Sequence, residues 1–221
     1  MESSLLIRGR GPIDGDVFSI IIDALRARGY IVLLDIFSPE FLQSLFIDIK
    51  NTDSHFFRSA RIGRDQARQI NRFVRRDRIR WLESDYEPLH YYFDWCERLR
   101  ERINSELFLG LFDYECHYAH YPKGAFYRKH VDAFKGEANR RLSTILYLNP
   151  DWQPTDGGEL VLYSEDGITT LETVYPHIGT MVLFLSEEFP HEVLPAYRSR
   201  YSLTGWFRIN NMLGQNIDPP R

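Results

Sequence analysis

Near the middle of the chain, in FYRKHVDAF (126–134), His130 and Asp132 offer a nitrogen and an oxygen donor two residues apart. Alone the pair says little. With seven histidines and 16 aspartates in 221 residues, about half an H-x-D step is expected by chance. On a β-strand, residues i and i+2 project from the same face, so both donors would enter one side of a sheet. His191, which opens HEVLPA, supplies a third ligand of the same kind. Two histidines and a carboxylate suit a transition metal with open positions: three adjacent ones on octahedral iron, or one for water on tetrahedral zinc. The ligand set does not choose between them.

Arg200 does. It follows in RSRYSLTGWF, where period-two alternation puts Arg200, Ser202, Thr204 and Trp206 on one face and Tyr201, Leu203, Gly205 and Phe207 on the other. An inward arginine needs a partner, because an unpaired buried charge is too costly to keep. A carboxylate co-substrate would satisfy it through a two-point fork. Tyr147, on the inward parity of LSTILYLN with Ser143 and Ile145, could add a phenolic hydrogen bond.

These residues need a scaffold of short strands, and the second half of the chain reads as one. Alternating runs fall at 113–121, 125–131, 142–149, 159–163, 168–174, 180–185, 191–195 and 200–209. Breakers separate several of them: Pro122-Lys123-Gly124, Asn149-Pro150, Asp156-Gly157-Gly158 and Asp166-Gly167. Such spacing predicts a double-sheet jelly roll or barrel. The first half reads as helical. Asp16 can cap a helix bearing Val17, Ile20, Ile21, Ala24 and Leu25, with Gly29 as its stop. Ser38-Pro39-Glu40 opens a second helix through Phe41, Leu42, Leu45, Phe46 and Ile49, and a third runs over about 87–107. A strand, 30–34, lies between the first two.

One domain over 1–221 is expected, α+β in class, with helical support mainly in 16–110, a β core over about 112–209 and a patternless tail at 210–221. The net charge of −4 gives no basic field of the kind that announces nucleic acid. No stretch reaches the roughly 18 apolar residues of a membrane span. Cys96 and Cys116 stand alone, without a C-x-x-C step, which fits a reducing compartment, so a cytoplasmic location is expected. An arginine-dense stretch, 58–80, holds nine arginines and two aspartates. It reads either as a solvated polar face or as a lid that closes over an acidic or polar partner.

Taken in order, VRRDRIRWLE (74–83), HYPKGAFYRKHVD (120–132), STILYLNPDW (143–152), GGELVLY (157–163) and HEVLPAYRSRYSLTGWF (191–207) carry a resemblance. Spanning most of 16–209, the chain resembles the 2-oxoglutarate- and Fe(II)-dependent dioxygenases, and among them the prolyl hydroxylases that act on hypoxia-inducible factor. The resemblance implies a double-stranded β-helix, the jelly roll already inferred, with helices behind its larger sheet. It makes His130, Asp132 and His191 the iron ligands. It places Arg200 and Tyr147 on the distal carboxylate of 2-oxoglutarate, Tyr121 near the metal end of that co-substrate, and Thr204 in the same set. The segment before His130 is one residue shorter here than in the family. Trp206 matches a tryptophan beside the target proline, and Arg75, Asp77, Trp81, Tyr127 and Arg140 fall on the substrate-covering loop and groove, which makes the C-terminal end of the arginine-rich stretch a lid. The activity implied is prolyl 4-hydroxylation of another protein, with O2 consumed, succinate and CO2 as co-products and ascorbate as a reductant. A free amino acid or small molecule is the alternative substrate, and a non-catalytic metal-binding module the alternative class. The family's bacterial branch suggests a translation elongation factor as substrate and its animal branch a transcription factor; the brevity of the chain favours the first.

Overall fold

The computed structural model describes residues 7–8, 16–60, 74–133 and 139–210. Most of the arginine-dense stretch and the tail beyond 210 therefore lie outside the described residues, as does the side chain of Asp16. Among the described residues, three α-helices form where apolar periodicity and end signals coincide. Helix α1 (Asp16–Arg28) buries Phe18, Ile21, Ile22 and Leu25. It stops at Gly29, whose φ of 76° allows its N–H to close on the Leu25 carbonyl at 3.0 Å. Helix α2 (Pro39–Asn51) starts at the Ser38 hydroxyl, which accepts the Phe41 N–H at 3.2 Å. Helix α3 (His90–Leu107) follows a 3-10 turn at Glu87–Leu89, so the α-helix begins three residues later than its apolar pattern does.

All three helices pack on one face of an eight-stranded sheet. Its strands are β1 (Ile7–Arg8), β2 (Tyr30–Leu34), β3 (Arg58–Ser59), β4 (Arg78–Leu82), β5 (Leu111–Tyr121), β7 (Arg140–Tyr147), β10 (Met181–Leu185) and β12 (Arg200–Ile209). They lie in the order β1-β2-β10-β7-β12-β5-β4-β3. A smaller sheet, β6-β11-β8-β9, faces the other side, made from β6 (Tyr127–His130), β8 (Leu160–Tyr163), β9 (Thr170–Val174) and β11 (His191–Val193). Antiparallel pairing dominates, and the arrangement is a double-stranded β-helix backed by helices. No helix among the described residues is long and apolar enough to cross a membrane.

The alternation of the major strands divides the core in two. Leu142, Leu146, Leu183, Leu203 and Phe207 point to the helices, while Val32, Ala119, Tyr121, Ile145, Tyr147 and Val182 meet Leu160, Leu162 and Val193 of the minor sheet. Each fully buried leucine or isoleucine contributes about 1.5–3 kcal/mol. Cys96 on α3 and Cys116 on β5 are both free thiols buried in the helix-side core, and burial pushes both up from the usual thiol range. Gly205 on β12 is needed for close packing: a Cβ there would overlap the Tyr114 hydroxyl and come within 2.8 Å of Cys116 Cβ. Gly205→Ala should therefore destabilise the fold by about 1–3 kcal/mol, read as a lowered urea midpoint.

The front half gives more strands than the one expected at 30–34, since β1, β3 and β4 also come from it and join the major sheet beside β2. The described ends of the arginine-rich stretch are part of that sheet, which its composition did not predict. Arg58–Ser59 and Arg78–Leu82 pair as edge strands, with β4 hydrogen-bonded along β5 from Arg78↔His120 to Leu82↔Cys116. Ile79 and Trp81 alternate with arginines there, a half-buried strand pattern that the charge of the segment conceals.

Candidate active site

Strand register brings the metal-binding residue types together. His191 is paired directly with His130 across β11 and β6. Asp132 reaches them from the bend just past the end of β6, so the same-face argument places His130 but not Asp132, which is not on the strand. The ligand atoms of the three residues lie within 4.8 Å of one another. Asp132 Oδ1 is 3.6 Å from His130 Nε2 and 3.8 Å from His191 Nε2.

Both rings are oriented from behind. His130 Nδ1 lies 2.8 Å from the Arg128 carbonyl and His191 Nδ1 lies 3.0 Å from the Phe189 carbonyl. A carbonyl can only accept, so each Nδ1 carries a proton and each Nε2 is the nitrogen turned toward Asp132. Tyr127 stacks on the His130 ring with centroids 3.5 Å apart. Burial pushes His191 down to about 4, helped by His130 and opposed by Asp132, so the ring is neutral near neutral pH. Burial pushes the Asp132 carboxyl up, but His191, His130 and the Ser143 hydroxyl overcome that and hold it well below the usual carboxylate range. Two imidazoles oriented through their Nδ1 atoms and one ionised carboxylate fit a divalent transition metal with positions to spare.

A second feature lies on the facing sheet. Arg200 is 1 % exposed, yet its one side-chain hydrogen bond of good geometry among the described residues runs from Nε to the Gly158 carbonyl at 2.9 Å. Its guanidinium lies over the rings of Tyr121 (4.8 Å) and Tyr147 (4.9 Å) and meets no carboxylate among the described residues. Gly158, at φ +70°, turns its carbonyl to Arg200, and a Cβ at that position would sit 3.0 Å from Arg200 Cδ. Tyr147 Oη is buried and meets no hydrogen-bond partner in good geometry among the described residues, though it lies close enough to Arg200 for the guanidinium to act on it. Burial drives this phenol up to about 12 although Arg200 works against it. Buried donors without acceptors ask for an anion, and a carboxylate would satisfy both. Tyr121 pairs with Arg200 across β5 and β12 and is likewise buried and raised. Thr204 is on the same face, half-buried, with its hydroxyl 3.3 Å from Ser202 Oγ rather than against Arg200.

Beyond the trio, β12, β5 and β4 build an aromatic and charged wall. Trp206 gives its indole N–H to Asp132 Oδ2 at 2.9 Å and carries the Arg140 guanidinium 3.6 Å from its ring. Arg140 is anchored on Glu115 at 2.7 Å. Trp81, 41 % exposed, meets His117 edge-on at 5.0 Å. Arg75 and Asp77 pair with each other at 2.6 and 2.8 Å, and Arg75 covers the Tyr127 ring at 4.2 Å. Each residue of the sequence-based substrate set thus lies on this wall or on the Tyr127 side of the trio.

Glu115, His117, Ser143 and Ser186 were not singled out by sequence reasoning as site residues. The parity of β5 carries a signal for two of them, since Glu115 and His117 share the face of Tyr121. His117 is buried with Nδ1 unpartnered among the described residues, and burial, Arg75 and Arg140 hold it well below its ordinary range. It stays neutral in the fold while the unfolded chain takes up a proton below about pH 6.5, so stability falls as pH drops below that value. The loss is at most about 1.4 kcal/mol per pH unit for one proton. Melting curves from pH 8 to pH 5 should show a shallower acid decline for His117→Phe than for wild type.

Comparison with known proteins agrees with this geometry. The 2OG-Fe(II) oxygenase superfamily profile matches residues 116–208. A *Pseudomonas putida* prolyl-4-hydroxylase structure is 39 % identical, with a TM-score of 0.79, covering 88 % of this chain and 100 % of that one. A *Trichoplax adhaerens* prolyl hydroxylase, solved with a hypoxia-inducible-factor oxygen degradation domain peptide, is 26 % identical with a TM-score of 0.77, covering 87 % of this chain and 89 % of that one. The hypoxia-inducible factor prolyl hydroxylase of *Caenorhabditis elegans* is 40 % identical over 90 residues, which are 39 % of this chain and 12 % of that protein. Human Egl nine homolog 1 is 29 % identical over 143 residues, 61 % of this chain and 33 % of that protein. The chain thus spans a third or less of these two relatives, but the whole of the bacterial one. With two histidines and one carboxylate gathered opposite a buried arginine, and with these likenesses, the chain belongs to the 2-oxoglutarate- and Fe(II)-dependent oxygenases.

Proposed function

We propose that this chain is a prolyl 4-hydroxylase that acts on a proline of another protein. The observation that carries the reading is its likeness to the bacterial prolyl-4-hydroxylase over that enzyme's full length. In this reading His130, Asp132 and His191 hold Fe(II). Arg200 forks the distal carboxylate of 2-oxoglutarate, Tyr147 donates to the same group, and Tyr121 and Thr204 complete that pocket. Trp206 forms the wall against the target ring, with Arg75, Asp77, Trp81, Tyr127 and Arg140 along the groove.

With Fe(II), 2-oxoglutarate and O2 bound, the centre supplies oxidative decarboxylation to succinate and CO2, coupled to hydroxylation of a C–H bond. The chain's own contribution is placement. Carbonyl-anchored rings fix the two histidine nitrogens, Arg200 and Tyr147 fix the far end of the co-substrate, and the tryptophan wall excludes water from the reacting side. No side chain is required to move a proton.

Purified protein with Fe(II), 2-oxoglutarate and proline-bearing peptides should release succinate in proportion to peptide, with one added oxygen on proline by mass spectrometry. Succinate that never exceeds the peptide-free level would sink the proposal, and equal hydroxylation of free proline would transfer it to a small-molecule substrate. The finer reading is a translation elongation factor as substrate, supported by the whole-chain likeness to a bacterial enzyme. Capture by an inactive variant, followed by mass spectrometry of the bound protein, tests it. Ascorbate as reductant and a cytoplasmic site of action, the latter supported by two buried free thiols, complete the proposal.

A further inference from the structure

His130 closes β6 and His191 opens β11, so ladder hydrogen bonds position both. Asp132 lies in a bend, where no ladder holds it. Side chains from two other strands hold it instead. Its Oδ1 faces the two histidine Nε2 atoms. Its Oδ2 accepts Ser143 Oγ from β7 at 2.6 Å and Trp206 Nε1 from β12 at 2.9 Å. Both are short, as expected for bonds to a charged oxygen.

The proton directions follow from burial. Ser143 Oγ is also 2.9 Å from Ser186 Oγ, and both serines are fully buried. An ionised carboxylate can only accept, so the single Ser143 proton goes to Asp132. Ser186 must then give its own proton to Ser143. Ser186 is fixed in turn by its peptide N–H on the Arg141 carbonyl at 3.0 Å. The result is a one-way hydroxyl relay, Ser186 to Ser143 to Asp132, joined at its end by the indole.

A carboxylate oxygen has two lone-pair sites, and on Oδ2 both are taken. Only Oδ1 remains for a metal. We propose that Ser143, Ser186 and Trp206 are positioning residues that confine Asp132 to one-oxygen coordination, so that it cannot close over a position 2-oxoglutarate needs. This rests on the iron-centre reading above. Without the relay the carboxylate is free to turn and chelate through both oxygens, competing with the co-substrate.

The test uses Co(II) on the full chain, without any prolyl substrate. Ser143→Ala and Trp206→Phe, which removes the N–H but keeps an aromatic ring, should each weaken 2-oxoglutarate binding about 10- to 100-fold at saturating Co(II). Each should also alter the visible Co(II) spectrum before 2-oxoglutarate is added. Ser186→Ala, which touches neither metal nor co-substrate, should move both readouts in the same direction by less. Should one of the first two variants fail to fold, the other decides. Variants that match wild type in spectrum and 2-oxoglutarate affinity overturn the inference alone. A wild type that binds no Co(II) overturns the iron-centre reading and the inference with it.

Discussion

Arg200→Met is expected to strip the protein of 2-oxoglutarate binding while leaving the ligand-free fold at least as stable as wild type. A guanidinium 1 % exposed, held by one carbonyl and two ring faces, carries a desolvation penalty that no carboxylate among the described residues offsets. Methionine of similar length removes that penalty and orphans only the Gly158 carbonyl, a loss of about 1 kcal/mol. Ligand binding behaves in the opposite way. Truncating one side of a buried charge pair costs about 2–5 kcal/mol, or roughly 30-fold to several thousandfold in Kd. Thermal melts with and without 2-oxoglutarate read both effects together, because a ligand raises the melting point of a protein only when it binds the folded state. A variant that melts well below wild type yet still gains stability from 2-oxoglutarate would show that Arg200 is a structural ion and not the co-substrate's partner.

The second large effect is at the metal. His130→Ala should lower Fe(II)-dependent succinate production more than about a thousandfold, since two donors remain where the open-sided site needs three. This position separates chemistry from folding better than His191 does. His191 is 4 % exposed and packs against Phe184 at 4.8 Å, so its removal leaves a core cavity, whereas His130 stands at a strand end with its ring against Tyr127. The variant should keep the wild-type far-UV spectrum and lose stoichiometric metal. A His130→Ala protein that still decarboxylates 2-oxoglutarate would remove this residue from the iron site.

Local pattern carried the sequence reading a long way in the β half. There the strands are short, alternate cleanly and are bounded by Gly and Pro, so period-two parity alone puts Arg200, Tyr147 and Trp206 on a common face. The pairing of His130 with His191, far apart in sequence, follows from register and could only be suspected from residue type. Beyond that, the sequence was opaque where long-range contact decides. β4 hides its alternation among arginines because its polar face, with Arg80 bonded to Thr52 and Tyr86, meets the helices rather than solvent. The Asp132 bend and the Ser186 hydroxyl have no periodicity to read, and the parity that puts His117 inward does not show the Trp81 and Trp206 rings on either side of it.

β12 is buried on both faces, with Leu203 and Phe207 against the helices and Arg200, Ser202 and Trp206 toward the site. One strand therefore serves as both foundation and instrument, and almost any substitution in it disturbs one role or the other. The edge strand β3 is under no such double obligation, since it is two residues long and exposed. Selection for a new protein substrate should accordingly enrich changes in β3 and leave β12 nearly untouched. The fold thus separates the part of the enzyme free to evolve from the part that must stay as it is.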